Sequence, residues 1–310
     1  MNLLESVRLA LEGLLSNKLR SALTMLGIVI GVGAVIALVS FGQGVEQYIT
    51  RQFQSLGSNL LFVFSAAPPG GGAGDIKALT LDDADALANP LLAPSVMRVA
   101  PQYDVFAVVT VRRNDVSMNV SGVTPVYQDV HEWYPQYGRF IEDADILTSA
   151  RVAVLGVSTA TDLFGVAVDP IGQTIRINNL PFRVIGVMEE RPSSSYVDEN
   201  DVIFVPISTA QTRLTRAPMR DGSYQIAFIT AQAISERQMA TAAEEISNIL
   251  FERHRIQYRD EEDFIVLSQN DLLTVVGEIT GMLTIFLAVI ASISLLVGGI
   301  GIMNIMLVTV

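Results

Sequence analysis

The chain has 310 residues, 50% of them hydrophobic, with a mean hydropathy of +0.42 and a formal net charge of −12. Such acidity argues against nucleic acid as a partner, and the absence of cysteine removes disulfide staples and thiolate metal sites. The hydropathy lies above that of soluble domains and below that of a polytopic channel, and two charge-free stretches account for it.

At the N-terminus, Leu3, Leu4, Val7, Leu11, Leu14 and Leu15 fall at helical spacing, while Glu5, Arg8 and Glu12 fall mostly elsewhere. This predicts an amphipathic helix over 1–22 that lies in the cytoplasmic interface, with a soluble core helix as the alternative. No charge appears between Arg20 and Glu46, and 23–41 (LTMLGIVIGVGAVIALVSF) is long enough for one membrane span, taken as 23–45. A secretory signal peptide is the competing reading. The apolar run exceeds the usual h-region, however, and GQGVEQ after it offers no small-residue cleavage site. Lys18 and Arg20 flank the span, so the positive-inside rule puts the N-terminus in the cytoplasm and the next block outside. That block holds 17 of the 20 basic and 30 of the 32 acidic residues.

The outer block reads as β–α–β, an inserted module, and β–α–β again. Residues 59–66 form a buried strand, followed by the flexible loop PPGGGAGD. Thr80-Leu-Asp-Asp83 opens a short helix with a capping-box pattern. Two strands, 96–111 and 116–123, join at a polar turn, completing a first half over 46–124. The insert, 125–221, contains a strand at 152–155, a helix at 158–164 with Ser158 as N-cap, a hairpin turning at Asn178-Asn179, and the polar loop PSSSYVDEN. A strand at 202–205 and a short helix from Ser208 complete it. The second half, 222–269, has a strand at 224–230, a capping box Ser235-Glu-Arg-Gln238, a helix to His254 and a strand at 264–267. The expected fold class is therefore α+β, a split sandwich with helices on one face of an antiparallel sheet. Residues 270–310 then form a stalk and a second membrane helix. Residues 279–310 carry no charged residue and no histidine, and as a helix would extend roughly 48 Å at about 1.5 Å per residue.

Catalytic chemistry is not evident. Neither lysine, Lys18 or Lys77, stands in a P-loop, so no nucleotide site is expected here. His131 and His254 lie far apart, outside any metalloprotease helix, and read as surface or interface histidines. Gly156-Val-Ser158-Thr-Ala160 lacks the final glycine of a nucleophile elbow. The pairs Asp82/Asp83 and Glu261/Glu262 read as solvated helix starts and loops. The spans carry packing signals instead: Gly27 and Gly31 in the first, and Gly298, Gly299 and Gly301 with Asn304 in the second.

Several segments together resemble the permeases of MacB-type ABC transporters, the MacB/FtsX superfamily. They include Asn17-Lys-Leu-Arg-Ser21, Leu56-Gly-Ser-Asn-Leu-Leu61, Val120-Ser-Gly-Val-Thr-Pro125, Val152-Ala-Val-Leu-Gly156, Pro181-Phe-Arg-Val-Ile-Gly186 and, most strongly, 293–308 (ISLLVGGIGIMNIMLV). The resemblance implies a permease dimer with four spans per subunit. A large periplasmic domain lies between the first two, its porter-like α+β part interrupted by a β-rich lobe. It implies an ABC ATPase partner that binds ATP and Mg, leaving no cofactor on this chain. Membrane lipid is an expected partner, and a periplasmic adaptor and an outer-membrane duct are possible further ones. Asn17, Lys18 and Arg20 would anchor the cytoplasmic elbow or meet the ATPase. With no nucleotide-binding domain before Met1 and no third or fourth span, the resemblance reads the chain as truncated after the second transmembrane helix, with the ATPase acting in trans.

The expected function is an inner-membrane permease subunit that couples ATP hydrolysis by its partner to motion of the outer domain, exporting drugs, peptides or lipoproteins. The alternatives are an FtsX-like transducer that activates a cell-wall hydrolase, and a two-span receptor.

Overall fold

The computed structural model describes residues 18, 25, 29, 33, 36–37, 39–45, 59–67, 77–111, 114–166, 168–192, 198–215, 222–256 and 262–309, with only the backbone course for parts of 269–309. Two compact units emerge, one from 54–270 and one from 1–53 with 271–310.

In the larger unit the first half runs β1 (Leu60–Ser65), α1 (Leu81–Leu87), β2 (Val96–Val111) and β3 (Asn114–Val123). The insert contributes α2 (Tyr127–Val130), β4 (Pro135–Gly138), α3 (Asp143–Leu147), β5 (Val152–Leu155), α4 (Val157–Phe164), β6 (Thr174–Ile177), β7 (Leu180–Met188), β8 (Ile203–Pro206) and α5 (Ile207–Thr209), which continues as a π-helical turn Ala210–Thr215. The second half is β9 (Phe228–Ala233), α6 (Met239–His254) and β10 (Phe264–Ser268). One sheet holds all ten strands in the order β10-β1-β9-β2-β3-β8-β5-β7-β4, with β6 bridging β2 and β7.

In the row β10-β1-β9-β2 each strand runs antiparallel to its neighbours, and β9 of the second half lies between β1 and β2 of the first. That is the split β-α-β arrangement, so the halves expected from sequence interleave in one sheet. Alternation along β1 turns Leu61 and Val63 toward Ala84 and Leu87 of α1 and Ala242 and Ile246 of α6, forming the main core. On the opposite face Tyr127, Trp133, Phe140 and Phe204 form a second, aromatic core with Val123 and Val154. Strand β2 joins the two regions: its start pairs with β9, its later part with β3 and its end with β6.

Local chemistry explains several boundaries. Thr80 caps α1 as expected, its hydroxyl and Asp83 satisfying each other's backbone N–H groups. Asn178 and Asn179 both take positive φ (45° and 66°), as a two-residue primed hairpin turn requires. Other expectations are corrected. Gly156, not Ser158, is the N-cap of α4, because a side chain there would collide with the Asn200 carbonyl that lies over the helix start. Ser235 forms no capping box: its hydroxyl bonds the Gln238 side chain, and a 3-10 turn, Glu236–Gln238, precedes α6. Strand β9 begins later than expected, because 225–227 instead bond residues 79–80 and Gln102.

The smaller unit is helical where described, at 18, 25, 29, 33, 36–37, 39–45 and 271–309, the last on α7 (Gln269–Thr309, 41 residues). Strand β10 ends at Ser268 and α7 begins at Gln269, so no loop separates the outer sheet from the long helix.

Candidate functional site

Lys18 is helical and exposed. Asn17, Arg20, Gly27 and Gly31 lie outside the described residues. Gly298, Gly301 and Asn304 lie on α7, with side-chain surroundings outside what is described. Gly299 lines a shallow groove with Ser292, Leu296, Ile300 and Met303, and nothing comes within 4 Å of where its Cβ would stand. A close approach that sequence reading missed occurs toward the other end of α7: a Cβ on Gly42 would collide with Thr280 Cγ2. The only advance signal was a glycine at the end of an uncharged run.

Along α7 the exposed side chains include Ile279, Met282, Ile285, Phe286, Val289, Ile293 and Leu296, whose spacing of three and four residues lines them along one apolar face. Thr284 and Ser292 return their hydroxyls to the carbonyls of Thr280 and Ala288, at 2.8 and 2.7 Å. Counted over the described residues, no helix is long and apolar enough to cross a membrane. Several side chains of this apolar half fall outside that description, whereas 279–309 as a sequence carries no charge.

The larger unit contains two buried polar clusters where sequence reading expected solvated groups. In the first, Asp83 is buried and accepts from Thr80 Oγ1 at 2.7 Å and Arg253 Nε at 2.6 Å. His254 is buried too, with Nδ1 2.7 Å from Asp263 Oδ1 and Nε2 3.5 Å from Asp83 Oδ2. Burial alone would lower the His254 pKa, but its hydrogen bonds to Asp83 and Asp263 outweigh this and raise it. Burial pushes Asp83 upward, yet the hydrogen bonds from His254, Arg253 and Thr80 bring it well below the usual carboxylate range. The two ring nitrogens point to carboxylates on opposite sides, so the ligands do not converge. Among the described residues no cluster of three His, Cys, Asp or Glu is arranged to hold a metal. The cluster ties α1 to α6 and to the start of β10, which makes it a fastening between halves. In the second cluster Arg191 lies over Trp133, with its Cζ 4.6 Å from the ring centroid, and bonds the His131 carbonyl.

The sequence profile of the MacB-like periplasmic core domain matches residues 21–249. The chain belongs to that family. It is 36% identical over 310 residues to the macrolide export ATP-binding/permease protein MacB of Azoarcus sp. (strain BH72), covering 100% of this chain and 45% of that protein. The probable syringafactin export ATP-binding/permease protein SyfD of Pseudomonas syringae pv. syringae (strain B728a) is 34% identical, with 99% of this chain and 45% of that protein covered. The chain thus spans about half the length of the curated relatives it matches. Among solved structures, the periplasmic region of MacB from Actinobacillus actinomycetemcomitans aligns with a TM-score of 0.58 at 22% identity, covering 74% of this chain and 98% of that one. The extracellular domain of the noncanonic ABC-type transporter YknZ from Gram-positive bacteria aligns at 0.55 and 20% identity, covering 68% and 100%. Both likenesses concern the fold, and both agree with the α+β outer domain described above.

Proposed function

We propose that this MacB-like chain is part of a permease subunit in an ABC exporter, working as a mechanical transmitter. The carrying observation is the uninterrupted passage from β10 into α7: displacement of the long helix reaches the outer sheet through covalent geometry, with no flexible loop to absorb it. In this reading 23–45 and the apolar half of α7 cross the inner membrane and the α+β unit lies on the periplasmic side. An ABC ATPase partner supplies the ATP and Mg chemistry. A second permease subunit packs against the glycine-bearing groove at Gly299, and a periplasmic adaptor and an outer-membrane duct complete the route for drugs, peptides or lipoproteins. The exposed apolar side chains of α7 support lipid or helix surroundings over water.

The test uses the absence of cysteine from this chain, with any cysteine elsewhere in the transporter replaced by serine. A single cysteine replacing exposed Leu147, labelled with donor or acceptor dye, reports distances between outer domains of the reconstituted transporter. ATP should change that distance, and a Gly-Ser insertion between Ser268 and Gln269 should abolish the change while ATP hydrolysis continues. An ATP response that survives the insertion would count against transmission through this junction.

A further inference from the structure

Helix α2 lies on the sheet face opposite α1 and α6, against β2 and β9. At its C-cap, His131 is 5% exposed, with its ring 4.2 Å from that of Tyr127. Among the described residues neither His131 Nδ1 nor Nε2 finds a protein hydrogen-bond partner, and the buried hydroxyls of Thr124, before α2, and Thr230, on β9, find none either. Such orphaned groups are uncommon in folded proteins. Beside them sits a fixed cation. Arg191 bonds the His131 carbonyl, covers Trp133 and pairs with Glu199 at 3.6 Å. Its backbone is clasped by Asn200, whose Oδ1 accepts from Arg191 N and whose Nδ2 donates to Arg191 O, both at 2.8 Å.

We propose that His131 and Arg191 form an acid-sensitive latch in the inserted lobe: a neutral imidazole lets the guanidinium lie against the end of α2, and a protonated one drives it away.

Arginine stays charged at all relevant pH, so protonated His131 would place two cations in one buried site. The surrounding groups offer no relief. The Tyr127 hydroxyl is buried and held neutral, its ionisation pushed above the usual range. Glu199 pairs with Arg191, and Asp104 on β2 accepts from Ser121 and Gln102. On the α2 side, Glu132 is exposed and Asp129 accepts from Tyr134. None of the contacts described places a carboxylate on the His131 ring, whereas His254 has two. Burial first and Arg191 second lower the His131 pKa to about 3. An opened site would restore the ordinary value, near 6.5. Falling pH therefore disfavours the closed lobe progressively below about 6.5, by at least about a hundredfold at pH 4.

Trp133 is the only tryptophan in the chain, and its indole N–H donates to Glu189 O at 2.8 Å under the Arg191 guanidinium. Its fluorescence reads the latch directly. The experiment records Trp emission and far-UV circular dichroism of the whole chain in lipid nanodiscs from pH 8 to pH 4. Wild type should show an emission transition on the acid side with unchanged dichroism; His254→Gln should retain it and His131→Gln should lose it. A transition that persists in His131→Gln, that coincides with loss of dichroism, or that is absent from wild type overturns the proposal. If His131→Gln does not fold, imidazole NMR of the wild-type chain decides. Its two histidines should titrate on opposite sides of 6.5, and an ordinary His131 midpoint rejects the latch.

Discussion

Arg253 Nε donates to Asp83 Oδ1 at 2.6 Å across 170 residues of chain. The bond joins α6 of the second half to α1 of the first, so a sequence interrupted by about a hundred residues is fastened on its helical face as well as through its strands. Asp83 is the hub, because it also caps α1 and meets His254.

Asp83→Ala should therefore cost about 3 kcal/mol, combining a lost cap with lost hydrogen bonds to charged donors. Arg253→Ala should cost about 1 kcal/mol or less, because its side chain is 37% exposed and water takes over. Urea unfolding of the two variants checks the order, and an equal loss in both would contradict the assignment of Asp83 as hub.

The same cluster sets a pH dependence. The folded-state pKa of His254 is raised, so its contribution is complete below about 6.5 and lost as pH climbs through the folded value. The pKa of Asp83 is lowered, so its contribution is present above about 4 and lost as acid protonates it. Melting temperature should decline on the alkaline side in wild type and stay flatter in His254→Gln, with the two curves converging at high pH.

Gly42→Leu should destabilise the helical unit by roughly 1–3 kcal/mol through overpacking against Thr280. Thr280→Ala should relieve part of that loss, since it removes the methyl in the way. Thermal melts of the two single variants and the double variant in detergent measure the coupling.

Asn179→Gly should stabilise the β6–β7 hairpin, or leave it unchanged, because φ is 66° at that position and glycine tolerates it freely. Asn178→Val should destabilise by more than 1 kcal/mol, since a β-branched residue resists a positive φ. Chemical denaturation distinguishes the two.

Local signals in the sequence carried far. Short apolar runs located β1, β2, β5 and β10, the helical face of α6 followed from Ala242, Ile246 and Leu250, and the Asn-Asn pair announced its turn. Long-range facts were not legible. Nothing near His131 in sequence announces Arg191, 60 residues on, and Asp83 looked like an ordinary helix-start carboxylate until Arg253 and His254 arrived from the far side of the insert. The Gly42–Thr280 approach likewise depends on two segments more than two hundred residues apart, and a glycine alone does not name its neighbour.

Among the described residues strand β10 ends the sheet order and pairs with β1 over five residue pairs from Leu61↔Ser268 to Ser65↔Phe264. Because β10 passes directly into α7, whatever load the helix transmits enters the sheet at β10 and is handed to β1, and from β1 to β9.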